Sequence, residues 1–294
     1  MKKLIHIQKS LGRHWVGDGF PVRTIFTYND LAPKISPFLL MDYGGPTEFK
    51  PSEHIRGVDE HPHRGFETVT IVYAGEVEHR DSSGGGGLIK TGDIQWMTAA
   101  SGLVHEEKHS KAFAAKGGPF EMIQLWVNLP QKNKMDKPRY QGIKLEQTPL
   151  VQLDKEAGSV RVIAGDYLGH RGPAKTFSSL NMWDVRLKKN GALKVEVIHG
   201  HTTCFFVLSG KVKLGSSEVI QEAELAVLDQ VGSYFVMESS EEAKILVLTG
   251  EPLNEPIVGH GPFVMNSETE IKQAFADFQN GRMGRIEAIA GSES

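Results

Sequence analysis

Apolar and polar positions alternate along most of the chain in runs of four to eight residues, and this is the pattern of half-buried β-strands. Leu4 to Ile7, Pro21 to Phe26 and Phe38 to Asp42 read as short strands, with Asn29-Asp30 and Pro37 as punctuation and Gly44-Gly45-Pro46 closing the section. Residues 46–60 are polar and loop-like. Thr68 to Tyr73 is rich in β-branched and aromatic side chains, and Ala74-Gly75 ends it. Glu76 to Asp81 alternates and is more polar. Asp93 to Met97 and Phe120 to Val127 follow, and Pro130 stops the second of these. Residues 131–158 are polar and read as an inter-domain region, with an extended piece near Tyr140 to Leu145. A second β-run then comprises Val160 to Ala164, Met182 to Leu187, Leu193 to Ile198, a hairpin from Phe205 to Leu214 around Ser209-Gly210, Leu225 to Leu228, Ser233 to Met237 and Ile245 to Leu248.

The two runs look like one pattern used twice. Tyr73-Ala-Gly75-Glu-Val77 matches Leu208-Ser-Gly210-Lys-Val212. Short strands with glycine turns, repeated at domain scale, predict an all-β chain of two similar antiparallel barrels, residues 1–135 and residues 136–294. One helix is well signalled. Ser267 and Glu270 have capping-box spacing, Ile271, Ala274, Phe275 and Phe278 form an apolar stripe, and Asn280-Gly281 ends it. A short C-terminal helix closing the second barrel is the expectation.

The chemistry concentrates in two strings. His61-Pro62-His63 puts two imidazoles on one face of a strand, because side chains two apart point the same way. His105-Glu106-Glu107 does the same with an imidazole and a carboxylate. If the two strands lie side by side, His61, His63, His105 and Glu107 converge. Nitrogen and oxygen donors without thiolate suit Fe(II), Mn(II), Ni(II), Cu(II) or Zn(II). Four protein ligands on an ion that prefers six leave two positions for water, dioxygen or a substrate oxygen.

Composition narrows the alternatives. The 294 residues carry a net charge of −3, so no basic face for phosphate-driven nucleic-acid binding is expected. The one cysteine, Cys204, lies in an apolar run and reads as a buried structural thiol. No window has the length and apolarity of a membrane span, and the N-terminus lacks an apolar signal core. A cytoplasmic monomer is the expectation, or a nuclear one in a eukaryote. Gly84 to Gly87 lacks the Lys-Ser/Thr of a phosphate loop and reads as a turn.

HPHRGFETV, Gly92-Asp-x-Gln-Trp-Met-Thr98 and Leu103-x-His-x-Glu107 occur in that order, followed by Gln124-Leu-Trp-Val-Asn128 and Gly259-His-Gly-Pro-Phe-Val-Met-Asn266. On these strings the chain resembles the pirin family of bicupins, from roughly Arg13 to Gly281. The resemblance implies two cupin barrels packed face to face, with one metal, usually iron, in the first. It implies His61, His63, His105 and Glu107 as ligands. It also implies a kinship with quercetin 2,3-dioxygenases and a flavonol substrate; on a substrate hydroxyl polarised by the metal, Glu107 or an acid beside it is the expected general base. Other members of the family are transcription co-regulators or partners of metabolic enzymes. A non-catalytic, redox-sensing iron protein that binds a protein partner is therefore the alternative.

Glu67 competes with Glu107 for the ligand role. It lies an even offset from His63, and an unbroken strand would keep it on the ligand face, whereas a bulge at Gly65 would turn it away. His54, His79 and His109 are expected to be solvated or structural, and Arg64 to pair away from the ligands. Asp42 is a candidate acceptor for a ligand N–H. Trp96 or Trp126 is a candidate stacking surface for a flat substrate. His199-Gly200-His201 repeats the motif in the second half but out of register. Aligned on the turn glycines, His61 and His63 correspond to Glu196 and Ile198, so the second barrel is expected to be metal-free.

Overall fold

The computed structural model describes residues 1–10, 12–215 and 218–287. Strands dominate, and the described α-helices are Ala32–Ile35, Lys111–Lys116 and Glu268–Gln279. The residues group into two units. One comprises Met1–Arg13, Arg23–Tyr43 and Ile143–Asn254, and the other His14–Val22, Gly44–Gly142 and the chain from Glu255 onward.

These units differ from a cut between residues 135 and 136, because strand pairing and packing reach across the sequence. Leu4–Gln8 at the start of the chain pairs antiparallel with Leu225–Leu228. At the other end, Ile271 and Ala274 of the C-terminal helix are buried with Val104, Phe263, Met265 and Met283. That helix therefore belongs to the unit of the HxH motif. It begins as expected, with Ser267 Oγ accepting from Glu270 N. Glu270 reaches back one residue further than a capping box requires and accepts from Asn266 N. Phe278, expected in the buried stripe, is exposed, and Asp277 is buried instead.

The two units share one architecture. In the first, a seven-stranded sheet is centred on Thr202–Ser209 and Ala243–Gly250, and a four-stranded sheet has the order Ala192–Glu196, Tyr234–Glu238, Val212–Leu214, Glu218–Ile220. In the second, the central pair is Phe66–Ala74 and Gly118–Asn128, and the four-stranded order is Gly57–His63, Leu103–His109, Glu76–Asp81, Gly86–Lys90. The repeated turn glycines hold equivalent places, with φ of +86° at Gly75 and +80° at Gly210. In each unit the two main sheets are open, a two-stranded ribbon is added to them, and the hydrogen bonds among the described residues close no ring. The core lies between the sheets. In the second unit Val72 from the larger sheet meets Val77 and Ile89 from the smaller one, together with Phe20, Phe49, Phe113 and Phe120.

Strands also occupy a stretch expected to close a section and parts of the expected inter-domain region. Phe38–Phe49 runs straight through Gly44-Gly45-Pro46. Gly45 serves close strand approach: a Cβ there would lie 2.3 Å from Phe120 O. Within 131–158, Arg139–Ile143, close to the extended piece expected near Tyr140 to Leu145, pairs with Ile94–Thr98, and Leu150–Gln152, not foreseen, pairs with Gly158–Ala164. Both are edge strands, where polar side chains are tolerated and the hydrophobic signal is weak.

Candidate metal centre

The HxH strand Gly57–His63 pairs antiparallel with Leu103–His109. His105 lies opposite His61, and Leu103 opposite His63. The register shifts between His105 and Glu107, with Glu107 opposite Val58. Three imidazoles meet in consequence. The ring centroids are 4.2 Å apart for His61 and His105, and 4.9 Å for His63 with either of the others. The ligand atoms of His61, His63 and His105 all lie within 4.8 Å of one another. Glu107 is not in that trio. It shares a second group of the same compactness with His105 and His79.

Each ring is oriented by its neighbours. His61 Nδ1 is 2.8 Å from Asp59 O, and His63 Nδ1 is 3.3 Å from Pro262 O. A carbonyl only accepts, so both Nδ1 atoms carry the proton and both Nε2 atoms keep a lone pair. Burial, aided by the neighbouring His61, pulls the pKa of His63 and of His105 well below the ordinary imidazole value. Both rings are thus neutral, the form that ligates metal. His105 Nε2 is buried and has no hydrogen-bond partner. An orphaned polar atom inside a protein is costly unless something meets it. A divalent cation between three imidazoles fits that need, and the donor set fits a borderline transition metal.

Glu107 is buried and firmly held. Its Oε1 accepts from Thr70 Oγ1 at 3.1 Å and Gln95 Nε2 at 3.0 Å, and its Oε2 accepts from Gln124 Nε2 at 2.8 Å. These three donors stand on strands of the larger sheet and fix the carboxylate from behind.

Glu67 is elsewhere. The ligand strand ends at His63, Gly65 takes φ +92°, and a new strand starts at Phe66. Glu67 thereby enters the larger sheet, opposite Thr98, whose hydroxyl donates to it at 2.7 Å. Burial pushes its carboxyl up to about 7 against that hydrogen bond. Arg64 also leaves the ligand face, donating to Ser101 O and pairing with Asp277. Lys134 is buried beside the same turn and donates to Gly65 O, Asn128 Oδ1 and Val264 O.

The remaining candidates separate cleanly. Trp96 is fully buried. Trp126 stacks on Phe66, with centroids 4.2 Å apart, and presents an edge-type contact to His63 at 5.1 Å, so it borders the imidazoles. Asp42 accepts from Thr24 Oγ1 and belongs to the other unit. His54 pairs with Asp18 at the surface. His109 is buried among Phe49, Phe113 and Phe120, with Nε2 at 2.9 Å from Gly19 O. His199 accepts from Gly232 N, and neither it nor His201 joins a metal-type cluster among the described residues.

Sequence reasoning missed His79. It is fully buried, and its ring stands 5.1 Å from that of His105. The signal was present. Glu76–Asp81 is the other neighbour of the His105 strand, with Asp81 opposite His105 and His79 opposite Glu107. His79-x-Asp81 is therefore a third same-face pair of titratable side chains.

The sheet order also explains the contrast between the units. Ala192–Glu196 and Tyr234–Glu238 hold the places of the HxH and His105 strands. Their inward positions are Leu193, Val195, Phe235 and Met237, all in the hydrophobic core. Glu196 and Ile198, the residues aligned with His61 and His63, are exposed.

Comparison with known proteins agrees with the architecture. Residues 19–127 match the pirin family model, and residues 182–284 match the model of the pirin C-terminal cupin domain. A Pseudomonas aeruginosa protein described as "Putative quercetin 2,3-dioxygenase PA2418" is 55% identical over 97% of this chain and 99% of its own length. The crystal structure of a quercetin 2,3-dioxygenase from Acinetobacter baumannii superposes with a TM-score of 0.95 at 51% identity, covering 98% of this chain and 100% of that one. A bacterial pirin from Escherichia coli, solved in complex with nickel(II), shares the fold with a TM-score of 0.63 at 19% identity, over 84% of this chain and 99% of its own. With both domain models matched in order and relatives this similar along nearly its full length, the chain belongs to the pirin family.

Proposed function

We propose that the protein is a metal-dependent dioxygenase acting on quercetin-like flavonols, with His61, His63, His105 and Glu107 as ligands of a single divalent ion, iron first among the candidates. The observation that carries the reading is the buried, partnerless Nε2 of His105, on a ring 4.2 and 4.9 Å from two imidazoles whose Nδ1 atoms are already committed to carbonyls. The similarity to proteins described as quercetin 2,3-dioxygenases supplies the substrate class.

A bound ion would polarise an enol-type hydroxyl of the substrate and give access to dioxygen chemistry. The chain supplies the rest. Thr70, Gln95 and Gln124 hold Glu107 in one orientation, so that its carboxylate can take the proton of the flavonol 3-hydroxyl. The indole of Trp126, fixed on Phe66, offers a flat apolar wall beside His63 for an aromatic ring. Burial of His63 and His105 limits the access of water on their side of the site, while His61 is partly exposed.

The test is oxygen consumption with quercetin by protein loaded in turn with Fe(II), Mn(II), Ni(II) and Cu(II). Turnover with at least one metal, lost in Glu107→Gln, is expected. Full metal occupancy without turnover in every case would overturn the oxygenase reading and leave the redox-sensing regulator.

A further inference from the structure

We propose that Asp81 and His79 form a hydrogen-bonded chain behind His105, which fixes its tautomer and ring orientation and so sets Nε2 as a ligating atom. The proposal rests on the reading of His105 as a metal ligand. It makes His79 a positioning residue, and not a further ligand.

The order of donors along this chain is forced. Asp81 Oδ2 lies 3.1 Å from His79 Nε2, and both side chains are fully buried. The other oxygen, Oδ1, accepts from Ser83 N, Ser83 Oγ and Gly85 N. Burial alone would raise the Asp81 pKa, but the hydrogen bonds from His79, Ser83 and Gly85 outweigh it and hold the group as a carboxylate. A carboxylate only accepts, so His79 Nε2 carries a proton. With the ring's one proton on Nε2, its Nδ1 offers only a lone pair. That atom lies 3.3 Å from His105 Nδ1. His105 must therefore donate from Nδ1, which leaves its Nε2 bare. Nε2 is the atom without a partner inside the protein.

The alternative order is worse. If His105 carried its proton on Nε2, a buried N–H would point at nothing, and His79 would have to be doubly protonated to fill the gap at Nδ1. The ring of His79 cannot readily turn to change partners, because Tyr140 lies flat against it at 5.1 Å and 18°. Both nitrogens of His79 are thus engaged, and none remains for a cation, although His79, His105 and Glu107 are close enough to form a cluster.

Metal-ligating histidines commonly hand their second N–H to a carboxylate or a carbonyl. His61 and His63 use carbonyls. His105 reaches its carboxylate through one intervening imidazole. This device depends on the strand Glu76–Asp81 lying beside Leu103–His109, with Asp81 and His79 on its inward face.

The experiment measures metal dissociation constants by chelator competition with Ni(II), in wild type, His79→Phe, His79→Gln, His105→Ala and the His79→Phe/His105→Ala double variant. Circular dichroism and the apo melting temperature report on folding. Loss of a supporting group of this kind weakens binding by about 10–100-fold, and that is expected for His79→Phe. His79→Gln keeps both an acceptor for His105 and a donor for Asp81, and it is expected to recover much of the affinity. If His79→Phe does not fold, His79→Gln and Asp81→Asn carry the test. In the His105→Ala background, His79→Phe is expected to change affinity no further. Pulsed EPR of the Cu(II)-loaded protein should count the same number of coordinated imidazoles in wild type and in His79→Gln. Wild-type affinity in folded His79→Phe, an undiminished effect without His105, or the loss of one coordinated imidazole in His79→Gln would each overturn the proposal. If His105→Ala itself binds metal as wild type does, the ligand reading falls. If only the His79 variants bind normally, that reading stands and the relay alone fails.

Discussion

Arg64 Nη1 and Asp277 Oδ2 meet at 2.8 Å in the protein interior, 213 residues apart in sequence. This pair ties the residue that follows the HxH motif to the C-terminal helix. Arg64 also donates to Ser101 O, two residues before the His105 strand begins. One guanidinium thus steadies the end of the HxH strand and the approach to the His105 strand. Asp277 in turn accepts from Gln273 and Arg282.

Removing one member of such a pair leaves the other buried and uncompensated. Asp277→Ala is expected to cost about 3–5 kcal/mol of unfolding free energy, read by urea denaturation. Arg64→Met combined with Asp277→Leu should cost less than Asp277→Ala alone, because no charge is then stranded. Equal or greater loss in the double variant would show that packing, and not charge burial, sets the effect.

The ligand assignment predicts metal content directly. His61→Ala combined with His105→Ala should leave the site empty by elemental analysis after purification and dialysis, with the fold intact by circular dichroism. Stoichiometric metal in that double variant would refute the assignment of both residues.

Gln124 is expected to matter through Glu107 alone. Gln124→Ala frees Oε2 of the carboxylate while Thr70 and Gln95 still hold Oε1. Turnover with quercetin should fall by about tenfold, the consequence of losing roughly 1.4 kcal/mol of orientation, with metal content unchanged. A parallel loss of metal would instead make Gln124 part of the support for binding.

Glu67 gives a pH signature independent of metal. Burial raises its carboxyl from 4.5 to about 7. The folded state therefore holds the proton more tightly than the unfolded chain. The stabilising effect is complete below pH 4.5 and is lost progressively as pH rises through 7, after which it levels off. The whole change is about 3 kcal/mol. Glu67→Gln should remove it, so the stability difference between variant and wild-type apoprotein should grow in favour of the variant between pH 4.5 and 7. A flat difference would mean that Glu67 is ionised inside the fold, balanced by Arg139, whose guanidinium lies 3.9 Å away.

Cys204 is fully buried, and burial pushes its thiol up to about 12. It should not react with a thiol reagent in native protein at neutral pH and should react stoichiometrically in denaturant. Rapid native labelling would reveal local opening of the strand Thr202–Ser209.

Much of this molecule is determined by local pattern. Alternation of apolar and polar residues marks most of the strands, because one face of each meets the core between two sheets. The repeated Gly75 and Gly210 mark the same turn in both units. The same two-residue period puts His61 with His63 and His105 with Glu107, whatever the rest of the fold does. What the period cannot determine is which strands become neighbours. Leu4–Gln8 joins a sheet more than 200 residues away, and Asp277, at a position that local periodicity leaves outside the apolar stripe, is buried because Arg64 waits for it. His79 shows the limit most clearly. Its strand reads as ordinary and polar, and it comes to lie against His105 only because Glu76–Asp81 hydrogen-bonds to Leu103–His109 on the side away from His61 and His63. Side-chain parity is a property of one strand and is written in the sequence. Adjacency is a property of the whole sheet, decided by long-range pairing and burial, and only the tertiary structure supplies it.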